Sequence, residues 1–527
     1  MKWQKKKHRS SWVPKMLHKT KNSIMDGKTK GYYYISLFLL FFITYGYFFQ
    51  GGGWNQNSRI CLTRAILHQH TFVIDEYKED SKNPYFEFVN TGDWSYYRGH
   101  YCTNKAPGLS FMAVVPFGIA EYLLGHVFPS DVEKQVHISA YVSTLCIIVL
   151  CSALLCLLLF FFCNHFMRLD EKNCLILTVF FGFGTLAFSY STIFYAHMPA
   201  AFFSFLSFVL VMHIKHDDPQ RKNLIALISG FSISTAVLLE PSTLIMLGCI
   251  GFYLISFKEG RRCLPFYLLG CIPPGVVQGI YNTVCFGGPL SSSYDFANEA
   301  VMFRGIDGKI LGLPHPKNVI KILFLPNRGL FVSSPILLMA LPGSVLFFKK
   351  RDWISEAIIF TSVSVLFLLF IISYYAWYHA ATPGPRYLLP AFPFIFLLTV
   401  FVLDRFPKMF MAVGALSILI NFIITLVGNE IPHDIENPLT DFILKNLLAG
   451  KVSVNPVPFS NFENYPTETL SDINKWTPNF NSFNLGEIIF PHSLASILPL
   501  ICFWIIWGAL FWRFFLKKEY KDGNTVV

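Results

Sequence analysis

Long apolar runs, separated by short polar and often basic turns, dominate the chain. Residues 32–49 and 494–515 each stay apolar for about the 20 residues a helix needs to cross the hydrocarbon core of a bilayer. Read in order, such runs predict helices near residues 32–49, 136–163, 173–190, 198–213, 223–239, 241–257, 263–284, 331–348, 354–376, 387–403, 409–427 and 491–515. A further apolar stretch, 108–125, follows Pro107 and contains Pro116, and both prolines are expected to break it. The expected fold class is an all-α polytopic membrane protein, with about 12 transmembrane helices plus one interfacial or re-entrant helix.

Composition agrees with the pattern. Of the 527 residues 53% are hydrophobic, 17% aromatic and 14% charged, against roughly 25% charged in soluble proteins. A water-soluble domain is excluded, and the absence of heptads excludes a coiled coil. The net charge of +11 does not point to nucleic acid, because the basic residues sit beside apolar spans and do not interleave with aromatics. Ten Lys and Arg residues between Lys2 and Lys30 precede the first apolar run and read as a cytoplasmic anchor, not as a cleaved signal.

Charge then sets the expected topology. With a cytoplasmic amino terminus and a 108–125 segment that does not cross, the basic turns at Arg168/Lys172, Lys215/Arg221/Lys222, Lys258/Arg261/Arg262, Lys349/Lys350/Arg351 and Arg405/Lys408 all fall inside, as does the tail Lys517/Lys518. A crossing at 108–125 would turn every one of those loops outward. Three large outer loops result, at 50–135, 285–330 and 428–490. The expected organisation is a basic segment 1–31, a membrane core 32–427, an outer loop 428–490 as a candidate cap, and a final helix with its tail at 491–527.

Candidate chemistry lies in the outer loops. The first contains Asn55-Gln56-Asn57-Ser58-Arg59, Asp75-Glu76-Tyr77, Thr91-Gly92-Asp93-Trp94 and Gly99-His100-Tyr101-Cys102-Thr103-Asn104-Lys105-Ala106-Pro107-Gly108. Carboxylates here can act as general bases, and Arg59 and Lys105 can hold a phosphate. A wet loop of this length also contains such residues for solubility alone. His197 at a helix start, Glu240 between two apolar runs and Arg386 at an outer membrane edge are further contacts for substrate, set against hydrogen-bonding, capping and snorkelling roles. Tyr294, with Asp295 and Arg328, is a weaker candidate for acceptor binding. Cys, His and acids do not fall at zinc-ligand spacing, so no metal or other cofactor is expected. Cys61 and Cys102 share the outer loop and could pair, while the other cysteines mostly read as small core residues.

Residues 54–116, Tyr195-Ala196-His197-Met198-Pro199-Ala200, Asn282 to Tyr294, Arg328-Gly329-Leu330-Phe331-Val332-Ser333-Ser334-Pro335 and Gly384-Pro385-Arg386-Tyr387-Leu388-Leu389-Pro390 together resemble bacterial membrane glycosyltransferases of the C-type fold. The kin include protein O-mannosyltransferases and the aminoarabinose transferase acting on lipid A. The resemblance implies a polyprenyl-phosphate sugar donor, a lipid, glycan or protein acceptor, an outer-face active site in a bacterial cytoplasmic membrane, and inversion at the anomeric carbon. It carries phosphate contact onto Lys105, within the Lys105-Ala106-Pro107-Gly108 element, and onto Arg59. One departure stands out: where many relatives have an acidic pair, this chain has Gln56-Asn57, and an amide cannot act as a base. Either Asp93 (first choice, near Lys105) or Asp75 has taken that role, or the chain is an inactive relative serving as a scaffold. A lipid or sugar-lipid transporter explains the helices equally well, but no internal repeat is visible and the charges cluster in one outer loop.

Overall fold

The computed structural model describes residues 27–77, 91–217, 219–298, 310–375, 382–431, 435–454, 482–491 and 493–516. The basic residues from Lys2 to Lys21, residues 455–481 of the candidate cap and Lys517/Lys518 lie outside the described residues.

The chain is mostly helical. In order it forms α1 (Gly27–Gly46), β1 (Phe48–Gln50), α2 (Trp54–Arg64), the hairpin β2 (Trp94–Tyr97) and β3 (His100–Thr103), α3 (Gly108–Val127), α4 (Val132–Phe166), α5 (Glu171–Gly184), α6 (His197–His216), α7 (Lys222–Leu239) and α8 (Pro241–Ile255). There follow α9 (Lys258–Phe286), α10 (Pro316–Phe324), α11 (Pro335–Phe348), α12 (Arg351–Ser373), α13 (Arg386–Leu397), α14 (Pro407–Val427), β4 (Ser482–Asn484) and α15 (Leu494–Phe515). Among the described residues eight helices are long and apolar enough to cross a membrane, and four shorter apolar helices join them. The protein is a multi-pass membrane protein, and each run that the sequence marked as a span contains helix.

Segment 108–125 departs from expectation in one respect. Pro116 does not break it: α3 is a continuous helix of 20 residues, long and apolar enough to span, with Pro107 as its amino-terminal cap. It runs beside α2 for much of its length. Ser110 donates to the Arg59 carbonyl at 2.9 Å, and Glu121 lies 3.3 Å from Arg64 and 2.8 Å from His68. One face is packed, while Val115, Ile119, Tyr122, Leu123 and Val127 leave an exposed apolar stripe suited to lipid.

Aromatic rings fill the bundle. Phe162, Phe205, Phe208, Phe360 and Phe394 from α4, α6, α12 and α13 meet at centroid separations of 5.4–6.2 Å, within the range in which edge-to-face packing stabilises. Lipid surrounds the bundle, so packing and buried hydrogen bonds hold helices together more than exclusion of water does. Lys215 on α6 reaches Glu356 on α12 at 2.8 Å, and the Tyr253 hydroxyl on α8 donates to the same oxygen.

Candidate active site

The three glycines 51–53 bring the chain out of β1 and into α2. Gly53 is the amino-terminal cap, and its amide donates to the Gln56 side-chain carbonyl. Asn55, one turn before Arg59, accepts from its Nε at 3.1 Å, and Arg59 donates a second bond to the Ala106 carbonyl at 3.0 Å. The amides at 55–57 are all buried. They therefore act as donors and acceptors that shape the site, a task their chemistry permits where proton abstraction is not open to them.

Asp93 and Lys105 are brought together by a hairpin. In β2 and β3 Trp94 pairs with Thr103 and Tyr97 with His100, so residues 93 and 104 face one another at the open end. The closing turn, Arg98-Gly99, has φ of 50° and 90°, the pair of positive values that a tight two-residue hairpin requires. Lys105 Nζ then lies 3.0 Å from Asp93 Oδ1, and Asn104 donates to that oxygen at 3.3 Å. Ser58 on α2 donates to the Asp93 carbonyl at 2.6 Å. The turn at Ser293–Phe296, which carries Tyr294, docks on the hairpin through Ser95 (2.6 Å to the Ser293 carbonyl) and Asn104 (its carbonyl 3.0 Å from Ser293 Oγ).

Opposite this wall, His197 at the start of α6 meets Glu240 at the end of α7, with Nδ1 3.1 Å from Oε2. The rings of Tyr190, Tyr195 and Tyr387 surround the imidazole at 5.8–6.2 Å. The guanidinium of Arg386 stands over Tyr195 and Tyr387 at 5.5 and 5.2 Å, cation–π distances. Arg328 donates to the Thr382 carbonyl at 2.7 Å.

An acid that the sequence reading did not select completes the cluster. Glu430 is 1% exposed and sits just beyond α14. It accepts from Tyr195 at 3.3 Å and from Gln56 Nε2 at 3.4 Å. Its position is set by its neighbours. Gly428 turns the chain at φ 153°, where a side chain would meet the Val454 carbonyl at 2.2 Å, and Asn429 donates to the Ser189 carbonyl at 2.7 Å while its amide donates to Gln50 at 3.2 Å. An amide at 56 facing an acid at 430 avoids the repulsion two carboxylates would create there. The only signal in the sequence is an acid directly after an apolar run at an outer edge, a pattern that helix ends also produce for other reasons.

These groups share one electrostatic environment. Burial holds the Glu430 carboxyl up at about 7, with Arg386, the Tyr195 hydroxyl and Arg328 drawing it down and Asp93 pushing it up. Burial lowers Arg59 from its usual range, against the pull of Glu240, Tyr294 and Asp93, and lowers Arg328 to about 10. Among the described residues neither the buried Arg59 nor the partly buried Arg386 has a carboxylate within ion-pair distance.

The structure thus brings Arg59, Asp93, Lys105, His197, Glu240, Tyr294 and Arg386 into one cluster. It does not bring Asp75 or His100 there. They pair with each other at 2.8 Å, with Asp75 also accepting from the Tyr101 amide at 2.6 Å, and both are exposed. Asp93, the first choice for a base, has Lys105 and Asn104 as partners. Cys61 and Cys102 do not form a disulfide with each other; the Cys102 thiol meets Cys285 on α9.

Gly53 offers a local test. A Cβ there would lie 2.8 Å from both the Gln56 side-chain amide oxygen and a Glu430 carboxylate oxygen. Gly53→Ala is expected to destabilise by about 1–3 kcal/mol, the cost of overpacking, and to lower activity by displacing Glu430. Thermal melts and turnover measured side by side check both effects.

No family model and no curated protein matches the chain. Solved structures do. ArnT from Cupriavidus metallidurans bound to undecaprenyl phosphate superposes with a TM-score of 0.50 at 11% identity, over 80% of this chain and 70% of that one. Its apo state gives 0.48 at 12% over the same shares. The Archaeoglobus fulgidus oligosaccharyltransferase in its apo form gives 0.44 at 12%, over 75% of this chain and 54% of that one. The likeness is one of fold, that of C-type membrane glycosyltransferases, at low sequence identity.

Proposed function

We propose that this protein is a membrane glycosyltransferase that moves a sugar from a polyprenyl-phosphate donor to an envelope glycolipid, glycan or protein. It works at the outer face of a bacterial cytoplasmic membrane with both termini cytoplasmic. The observation that carries the proposal is that the buried Arg59 and the partly buried Arg386, which both act electrostatically on His197 and Glu240, have no carboxylate at ion-pair distance among the described residues, in a cluster that also holds Lys105. Guanidinium groups with no carboxylate in direct contact leave such a site favourable to an anion, and a phosphate matches the guanidinium fork. The Cupriavidus metallidurans ArnT structure is bound to undecaprenyl phosphate, which fits a lipid phosphate as that anion.

In the reaction the acceptor oxygen bonds to the anomeric carbon as the bond from that carbon to the phosphate oxygen breaks. The acceptor proton passes to Glu430, and the polyprenyl phosphate leaves with one added negative charge. Lys105, Arg59 and Arg386 stabilise that charge where it develops. Glu430 is poised near neutral pH, where a general base is most effective. Asp93 holds Lys105 in place, while His197, Glu240 and Tyr294 offer hydrogen bonds to sugar or acceptor hydroxyls. Asp75 and His100, exposed and paired with each other, have no part in it.

Mass spectrometry of envelope lipids, glycans and glycoproteins from cells with the gene intact, deleted or carrying Glu430→Gln tests the proposal. Deletion and the point variant are both expected to remove one sugar mass from a defined acceptor. Unchanged glycoconjugates after deletion would overturn the transferase reading in favour of transport or scaffolding.

A further inference from the structure

At the other end of the bundle three side chains from two helices converge on one point. His165 lies in the last turn of α4, His213 in the last turn of α6, and Asp217 caps α6. His165 Nε2 is 2.8 Å from Asp217 Oδ2, and His213 Nδ1 contacts the same oxygen. The three atoms lie within 4.8 Å of one another. Because α6 has 20 residues and starts at His197, the point lies about 30 Å along that helix from the cluster above, at 1.5 Å per residue.

We propose that His165, His213 and Asp217 form a binding site for a divalent transition-metal ion, with zinc as the favoured ion. Two imidazoles and one carboxylate are the borderline donor set zinc accepts, and too nitrogen-rich for calcium or magnesium. His213 and Asp217 stand one turn apart on the same helix face, the i, i+4 spacing that lets two ligands share an ion. His165 is held by ring contacts, stacked on Phe161 at 4.9 Å and 10° and edge-on to Phe166 at 4.8 Å. Among the described residues no Lys or Arg lies at ion-pair distance from Asp217, since the nearby Lys215 and His216 turn to Glu356 at 2.8 and 3.6 Å. Around zinc at about 2.0 Å, tetrahedral neighbours stand about 3.3 Å apart, so the atoms need shift by only about 1 Å. The fourth position faces water, because His165, His213 and Asp217 are 42, 39 and 26% exposed.

Binding displaces any proton on His165 Nε2 and His213 Nδ1 and replaces their bonds to Asp217 with bonds to the ion. The ion would clamp the ends of α4 and α6 and so fix the helix that presents His197 at its far end.

Full-length protein in detergent, stripped with EDTA, is titrated with Zn²⁺ by calorimetry and with Co²⁺ by its visible absorption. His165→Ala and Asp217→Asn are compared with His68→Ala, which disrupts a different His–carboxylate pair (2.8 Å to Glu121). One tight site is expected in the native protein and in His68→Ala, weakened at least about 100-fold in the other two, with zinc raising Tm only where the site is intact. Absence of a tight site in the native protein, or its retention in both His165→Ala and Asp217→Asn, would overturn the proposal.

Discussion

Glu430→Gln is expected to lower the turnover of sugar transfer by about 100- to 10,000-fold, the range a general base contributes, with donor binding largely kept. Glutamine has the size and the hydrogen-bonding reach of glutamate but cannot accept the proton. The pH profile provides the sharper readout. A base must be deprotonated, so native turnover rises with pH and reaches half its plateau near 7, where burial holds Glu430. In Glu430→Gln that limb disappears from what activity is left.

Stability should move the opposite way. The folded carboxyl titrates near 7 against 4.5 for the ordinary group, so between those values the folded protein holds a proton that the unfolded chain has lost. Native stability from this group is present below pH 4.5 and falls as pH rises through 7, by about 3 kcal/mol at 1.36 per pH unit. Above pH 7 the glutamine variant is therefore expected to have the higher Tm. A variant that keeps native turnover, or one with an unchanged pH limb, would return the base to Asp93.

The second large effect concerns Lys105. Lys105→Met leaves Asp93, with its side chain 8% exposed, as an unpaired buried carboxylate, which costs about 3–5 kcal/mol. The expected result is a marked drop in Tm together with loss of donor binding. Asp93→Asn combined with Lys105→Met removes both charges at once and is expected to recover most of the Tm. Affinity for polyprenyl phosphate should stay about 10- to 150-fold below native, the value of one charge-assisted hydrogen bond of about 1.5–3 kcal/mol. If the double variant binds the lipid phosphate as the native protein does, Lys105 serves only to neutralise Asp93. Thermal melts and a direct binding titration on the same preparations separate the two.

The spans were legible because hydrophobic runs are local: a helix such as Pro407–Val427 is written in consecutive residues whose apolar side chains prefer lipid whatever the rest of the chain does. Residue type and position in the first outer segment also single out Arg59, Lys105 and Asp93 as candidates, and the fold brings them near one another. Proline was read too strictly at Pro116, since a long helix packed along one face passes through a single missing hydrogen bond.

Residue type and position along the chain could not show who meets whom. Asp93 and Lys105 are partners because a hairpin closes at Arg98-Gly99, and that pairing takes up the acid first chosen as base. Asp75 carries the same carboxylate but folds outward onto His100. Glu430 lies 374 positions from Gln56, and no local pattern distinguishes an acid that will be sealed beneath a tyrosine from one that ends a helix at the membrane edge. The membrane architecture is set by hydrophobicity and charge, which act residue by residue. The chemistry of the site is set by burial and distance, which exist only once the loops have packed.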